Sequence, residues 1–398
     1  MGLRVAVVGG GLGGLAAAIH LRRAGVDAVV YEQAPVLREV GAGVMIAPNM
    51  VRLINRLGLG DALARCAVWL EAAWEYRRWE DGEVLFSQPL GEACEQMYGA
   101  NLHTAHRADL HAMFQSALPP EVVHLDHRLV ALDQDDAEVE LTFTHRTGGE
   151  TKVRADVVIG ADGIHSTVRP LIVTEVEPHF CQLSAFRALI PVEKAPEYAR
   201  RPVQSLWLGP ARHLVHYPVS GGKLVNVVAV VPSDEWLLES WTADGDLSDF
   251  AREFATWDEN VRQLIAAAPS TKRWALYDRS PLERWTSGRV TLLGDAAHAM
   301  LPFFAQGAGQ AIEDGAVLAR CLREADRDSV PKALLSYEAT RRPRASRVQL
   351  MSRGRAEYNH MPDGPAQRER DAGLRDGDFL RHSAWLYTYD VDTEPLLS

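Results

Sequence analysis

The stretch VAVVGGGLGG, residues 5–14, decides the fold. A valine-rich apolar run, of the kind that makes a buried parallel strand, drives into five glycines within six positions. LGGLAAAIHLRRAG (12–25) follows with alanine and leucine at helical spacing, and Gly25 is placed to close that helix. VDAVVYE (26–32) reads as a second strand, completing a βαβ unit. Gly9, Gly11 and Gly14 stand as G-x-G-x-x-G between strand and helix. Gly9 permits the tight turn, Gly11 lets the backbone approach a pyrophosphate, and Gly14 lets helix and strand pack closely. The helix N-terminus offers free N–H groups to the anion. Glu32 ends the second strand, where a carboxylate can accept ribose hydroxyls, which suits FAD or NAD rather than NADP. A glycine-rich turn with Glu32 as a solvated strand end is the plainer alternative.

Composition bounds the rest. The 398 residues are 47% hydrophobic and 24% charged, enough for a large core divided among two to three domains. The net charge of −11 and dispersed basic residues argue against nucleic acid. The exception, RRPRASR (341–347), reads as the C-terminal end of a helix. Cys66, Cys94, Cys181 and Cys321 have no CxxC spacing and no clustered histidine, so neither a metal nor a disulfide framework is expected. No run of 18 apolar residues occurs, and the glycines interrupt any signal-peptide core, so no membrane association and a cytoplasmic location are expected.

Two more strand ends carry acids. ADVVIGADGIHSTVR (155–169) runs into Asp162-Gly163. GRVTLLGDAAHAMLPFFAQGAGQAIEDGAVLARCL (288–322) runs into Gly294-Asp295, then a loop, then a helix opening near Gly307-Ala308. Parallel sheets present ligands at their carboxyl ends. Asp295 can hold ribityl or ribose hydroxyls there, and the helix start can face the pyrimidine side of an isoalloxazine. For Asp162 and Asp295, turn or N-cap duty is the alternative.

These three segments, in this order, resemble the single-component FAD-dependent aromatic hydroxylases. GAGVMIAPN (41–49), HRADLH (106–111) and WLYTYD (385–390) resemble the branch containing salicylate hydroxylase, 3-hydroxybenzoate 6-hydroxylase and 6-hydroxynicotinate 3-monooxygenase. The resemblance puts Gly9, Gly11, Gly14 and Glu32 on the ADP half of FAD, Arg107 on the cofactor from a helix start, and Leu129 beside adenine. It puts Asp295 and the Gly307 and Ala308 amides on the ribityl and ring, and Asp162 and Gly163 where FAD and the reduced nicotinamide are served. On chemistry alone, Arg107 could equally pair with Asp109 at the surface, and Leu129 could be core. Only one G-x-G-x-x-G occurs, matching a family in which NADH or NADPH has no separate domain.

The fold expected is mixed α/β: a Rossmann-like FAD domain with a parallel sheet, an inserted mixed or antiparallel β-sheet substrate domain, and a helical C-terminus. Residues 1–70, 101–175 and 276–345 are assigned to the first, 71–100 and 176–275 to the second, and 346–398 to the third. A hairpin is expected at Asp81-Gly82, a meander turning at Asp135-Asp136 and Gly148-Gly149, and a helical stretch over 246–268.

RHLVHYPVSGGK (212–223) carries the candidate chemistry. On a strand His213, Val215 and Tyr217 share one face, while Leu214 and His216 point away. The family match makes His213 the general base and Tyr217 the partner of the substrate hydroxyl, with His216 in reserve. Chemistry alone leaves a half-buried edge strand open. By resemblance the loop HAMLPFF (298–304) lies over the flavin, and Pro302, Phe303 and Met45 line the substrate pocket. Relatives acting on 3-hydroxybenzoate and hydroxynicotinate carry glutamine and histidine near Pro302 and Phe303, so salicylate-like substrates come first here. Arg187 could meet a substrate carboxylate, although a surface position is the plainer expectation.

The implied function is hydroxylation of a small electron-rich aromatic by NAD(P)H and O2 through a C4a-hydroperoxyflavin, in a monomer or homodimer. A flavin oxidoreductase without oxygen insertion, or a non-catalytic nucleotide-binding protein, are the alternatives.

Overall fold

The computed structural model describes residues 2–37, 42–173, 178–233 and 244–397. The opening valines form strand Arg4–Val8 near the centre of a six-stranded sheet. Its order is Thr286–Ser287, Val290–Leu292, Val157–Gly160, Arg4–Val8, Asp27–Tyr31, Val123–His124. Every neighbouring pair is parallel except the first. Helix Leu12–Arg23 closes on Gly25, which takes φ +84° just past the C-cap Ala24. This helix packs on helix Gly307–Leu322 so closely that a Cβ at Gly315 would lie 2.7 Å from Ala17 Cα. The meander Arg128–Gln134, Val139–Thr144, Glu150–Ala155 has its turns where expected.

The second large sheet has eight strands. Their order is Asp244–Gly245, Thr271–Asp278, His179–Pro191, Leu224–Pro232, Arg212–Val219, Val203–Gly209, Ala72–Arg78, Val84–Pro89. All pairs are antiparallel except Val203–Gly209 with Ala72–Arg78. The expected helical stretch at 246–268 is two helices, Leu247–Glu253 and Glu259–Ala266. Each starts at its own capping aspartate, Asp246 or Asp258, and two caps so close together make two short helices. Phe250, Phe254 and Leu264 cover one sheet face by packing on Phe186, Trp207 and Leu214. The opposite face holds the candidate site.

RRPRASR does not end a helix. It lies inside the 30-residue helix Val330–Asn359, and Arg341 is fully buried. Its guanidinium meets Asp314 Oδ1 and Glu313 Oε2 at 2.7 Å each, and donates to Gln310 Oε1 at 2.8 Å. Arg344 and Asn49 complete the shell around Glu313 at 2.8 and 2.7 Å. Asp314 Oδ2 contacts His298 Nε2 at 2.7 Å and accepts the Gly294 amide at 3.1 Å. This dry network therefore braces the loop that carries Asp295. Among the described residues, no helix is long and apolar enough to cross a membrane.

Candidate active site

The glycine turn is built as its spacing requires. Gly9 holds φ +110°, and a Cβ there would come within 2.4 Å of Ala161 O. A Cβ on Gly14 would meet Gly9 O at 2.0 Å. Around Gly11 nothing lies within 4 Å of that position, so the turn is open at the glycine that should face a phosphate. Glu32 Oε2 accepts the Gly10 amide at 2.7 Å, and Oε1 accepts the Ala34 amide at 2.8 Å. His111 supports the turn from helix Arg107–Ser116, its Nε2 lying 2.7 Å from Gly10 O. Sequence spacing gives no sign of this contact, which joins residues 101 apart.

The other predicted cofactor residues fall around this edge. Arg107 opens its helix, and its amide donates to Ala42 O at 2.9 Å. Asp109 accepts from Ser220 Oγ at 2.6 Å. Leu129 is buried beside Phe143 in the core of the first sheet. Asp295 is exposed at the start of the short helix Asp295–His298. Gly307 and Ala308 begin the long helix, as expected. Asp162 differs: its carboxylate accepts from Ser166 Oγ and from the Thr167 and Val168 amides at 2.5, 2.7 and 3.1 Å. It ties up its own loop, the turn duty that chemistry alone had left open, while Gly163 takes φ +78°.

His213 and Tyr217 do share a face of strand Arg212–Val219, and both are buried. The register extends that face. Val215 pairs with Val228, and Val228 with Arg187, so Arg187 lies two strands away on the same side. It is not a surface arginine. Its Nε is shut off from solvent, its guanidinium stacks 4.2 Å from the Trp274 ring, and burial lowers its pKa to about 9. Burial pushes the Tyr217 hydroxyl up to about 12, opposed by Arg187. A Cβ on Gly43 would strike Tyr217 Cε2 at 2.5 Å, so only glycine lets strand Gly43–Ile46 approach here.

His213 has a partner that sequence spacing could not reveal. Its Nδ1 lies 2.6 Å from His360 Nε2, just past the end of helix Val330–Asn359. Burial first, then the neighbouring His360, holds His213 well below its ordinary pKa, so it is neutral at physiological pH. Phe303 packs edge-on to His213, with ring centroids 5.3 Å apart, and joins Leu301, Val215 and Trp274 in one apolar cluster. Gln349 and Ser352 hold the Ala299 and Leu301 carbonyls beneath this loop. Met45 is buried in an apolar cluster with Tyr98, against which Met300 and Phe304 pack, while Phe303 packs on the neighbouring cluster. Pro302 is exposed. His216 faces the opposite cluster, against Tyr198, as alternation requires.

His20, His216 and His360 are, like His213, neutral in the fold. Burial lowers His20 to about 4, His216 to about 3 and His360 to about 4. Unfolded histidines protonate near pH 6.5, so the stability held above that pH is lost as pH falls towards 4. The urea midpoint is therefore expected to be lower at pH 5 than at pH 7. Equal midpoints would contradict these burials.

The family model described as FAD binding domain matches residues 2–352. The chain belongs to this family. It is 43% identical over 388 residues to the 3-amino-4-hydroxybenzoate 2-monooxygenase PtmB3 of Streptomyces platensis, covering 98% of this chain and 96% of the relative. It is 35% identical to the 6-hydroxynicotinate 3-monooxygenase of Bordetella bronchiseptica, covering 99% and 97%. A solved salicylate hydroxylase substrate complex superposes with a TM-score of 0.83 at 30% identity, covering 98% of this chain and 96% of that one. This member of the FAD-binding family is thus an FAD-dependent aromatic monooxygenase. The open cradle at Gly11 fits that cofactor.

Proposed function

We propose that the protein hydroxylates a small benzoate bearing an electron-donating hydroxyl, of the 3-amino-4-hydroxybenzoate type, with NADH or NADPH and O2 as co-substrates. The observation carrying this is the shared sheet face of His213, Arg187 and Tyr217, with His213 and Tyr217 buried and Arg187 half-buried. Arg187 lies two strands and two residues of register from His213, about 12 Å at the backbone. A cation and a base so separated suit a ring with carboxylate and hydroxyl at opposite ends better than salicylate, where the two are adjacent. The identity to the aminohydroxybenzoate enzymes points the same way.

In this reading Arg187, beside Tyr217, holds the carboxylate. Neutral His213 accepts the phenolic proton at Nε2, which requires its Nδ1–H to donate to His360. The resulting phenolate enriches the ring carbons ortho and para to it, and a ring amino group does the same for the carbon beside it. Phe303, Leu301 and Val215 keep water out. Bound FAD supplies the redox chemistry, carrying two electrons from reduced nicotinamide to O2. One oxygen atom ends on the ring and the other leaves as water.

Gly9, Gly11, Gly14 and the start of helix Leu12–Arg23 would hold the pyrophosphate, Glu32 the ribose, and Leu129 the adenine side. Arg107, Asp295, Gly307 and Ala308 would hold the remainder. Asp162 would act by shaping its loop. The parallel sheet would then be the cofactor domain, and the eight-stranded sheet the substrate domain.

The test is a panel of amino- and hydroxybenzoates under 18O2, scored for label in product per NADH consumed. We expect one labelled oxygen per turnover, with the para-hydroxylated acids ahead of salicylate. Reduction of substrate without label would favour a plain oxidoreductase. A second test concerns the cradle. Gly11→Val should leave the apoprotein folded while FAD affinity falls at least about tenfold, because the added side chain fills the open turn. Unchanged flavin content would refute that contact.

A further inference from the structure

We infer that His179, Cys181 and Asp278 form a site for a thiophilic divalent cation of the zinc class, outside the candidate active site. His179 and Cys181 are two apart on strand His179–Pro191, where a bulge after Phe180 carries Cys181, and Asp278 is paired directly across from His179 on strand Thr271–Asp278. His179 Nδ1 lies 3.6 Å from Asp278 Oδ1 and 4.0 Å from Cys181 Sγ. All three ligand atoms fall within 4.8 Å of one another, which no other such group among the described residues achieves.

Metal–ligand bonds of about 2.0–2.3 Å at tetrahedral angles need ligand atoms about 3.3–3.5 Å apart. The His179–Asp278 edge, at 3.6 Å, is close to this, and the His179–Cys181 edge, at 4.0 Å, must shorten by about half an ångström. His179, with its side chain 75% exposed, can supply the adjustment by turning.

The second observation is Asp278 itself. It is buried, and Oδ1 makes no hydrogen bond within 3.5 Å; the groups it interacts with are the other two members of the cluster, His179 at 3.6 Å and the Cys181 thiol. Oδ2 accepts from Arg353 Nε at 2.6 Å, which fixes the carboxylate's direction as an outer-shell partner does in metal sites. A thiolate and a carboxylate carry two negative charges, Arg353 one positive, and a dication leaves the cluster with a single positive charge. On binding, the thiol proton passes to solvent. Sulfur and imidazole ligands select zinc-like ions over magnesium or calcium. Three protein ligands leave a fourth position for water.

The site would act on the fold through Arg279. This neighbour of Asp278 offers its carbonyl to Gln349, which also holds Ala299 in the loop beside His213.

The experiment is equilibrium dialysis of untagged, FAD-loaded protein against zinc chloride, with metal analysis and a thermal melt. One zinc per chain, a raised melting midpoint, and no effect of magnesium are expected. His179→Gln and Cys181→Ser should each weaken zinc binding at least about tenfold. The melts show that each variant is folded. No stoichiometric zinc on the unaltered protein would overturn the site, as would a loss of binding in only one variant or in neither.

Discussion

His213→Ala is expected to lower the hydroxylation rate by about 10²–10⁴-fold, the range a positioned general base contributes, while FAD stays bound. The imidazole packs against Phe303 and His360, and none of its contacts is with the glycine turn. On the proposed reading its loss removes the proton acceptor and leaves the turn at Gly11 intact. NADH oxidation should continue in part, so product formed per NADH is the sensitive readout. His360→Leu should show a smaller loss, because it strands the Nδ1–H of His213 in a buried setting. His360→Gln, whose amide oxygen can accept that hydrogen bond, should recover part of it. An unchanged ratio of product to NADH in His213→Ala would remove this histidine from the chemistry.

The second large effect concerns stability. Arg341→Met leaves Asp314 and Glu313 buried with one cation fewer. Breaking one side of such a network costs about 3–5 kcal/mol. Glu313 retains Arg344 and Asn49, so the damage concentrates on Asp314. Asp314 holds the Gly294 amide and His298, so the Asp295 loop should loosen as well. We expect a large fall in the urea midpoint together with weaker FAD retention. Adding Asp314→Leu should recover part of the midpoint, since it removes the stranded charge. A midpoint unchanged in Arg341→Met would mean that the network contributes nothing.

These contrasts show where sequence reading succeeds. The glycine turn, the strand ends at Asp162 and Asp295, and the meander turns are local, and local chemistry specifies them. The shared face of His213 and Tyr217 follows from strand alternation alone. Arg187 needed the register of three neighbouring strands to reach that face. His360 sits 147 residues from His213, and no spacing rule links them. Arg341 looked like a helix-end cation because its partners, Glu313 and Asp314, come from another helix. Met45 and Phe303, expected on one pocket, pack on two neighbouring apolar clusters that the loop 298–304 joins through Met300, Leu301, Phe303 and Phe304.

The central claim is that the aromatic substrate lies on the His213–Arg187–Tyr217 face. A crystal structure of the FAD-loaded protein with 3-amino-4-hydroxybenzoate tests it most directly. The account predicts the ring on that face, its carboxylate at Arg187 and its hydroxyl at His213. A ring bound elsewhere, or one with its carboxylate turned towards His213, would contradict it.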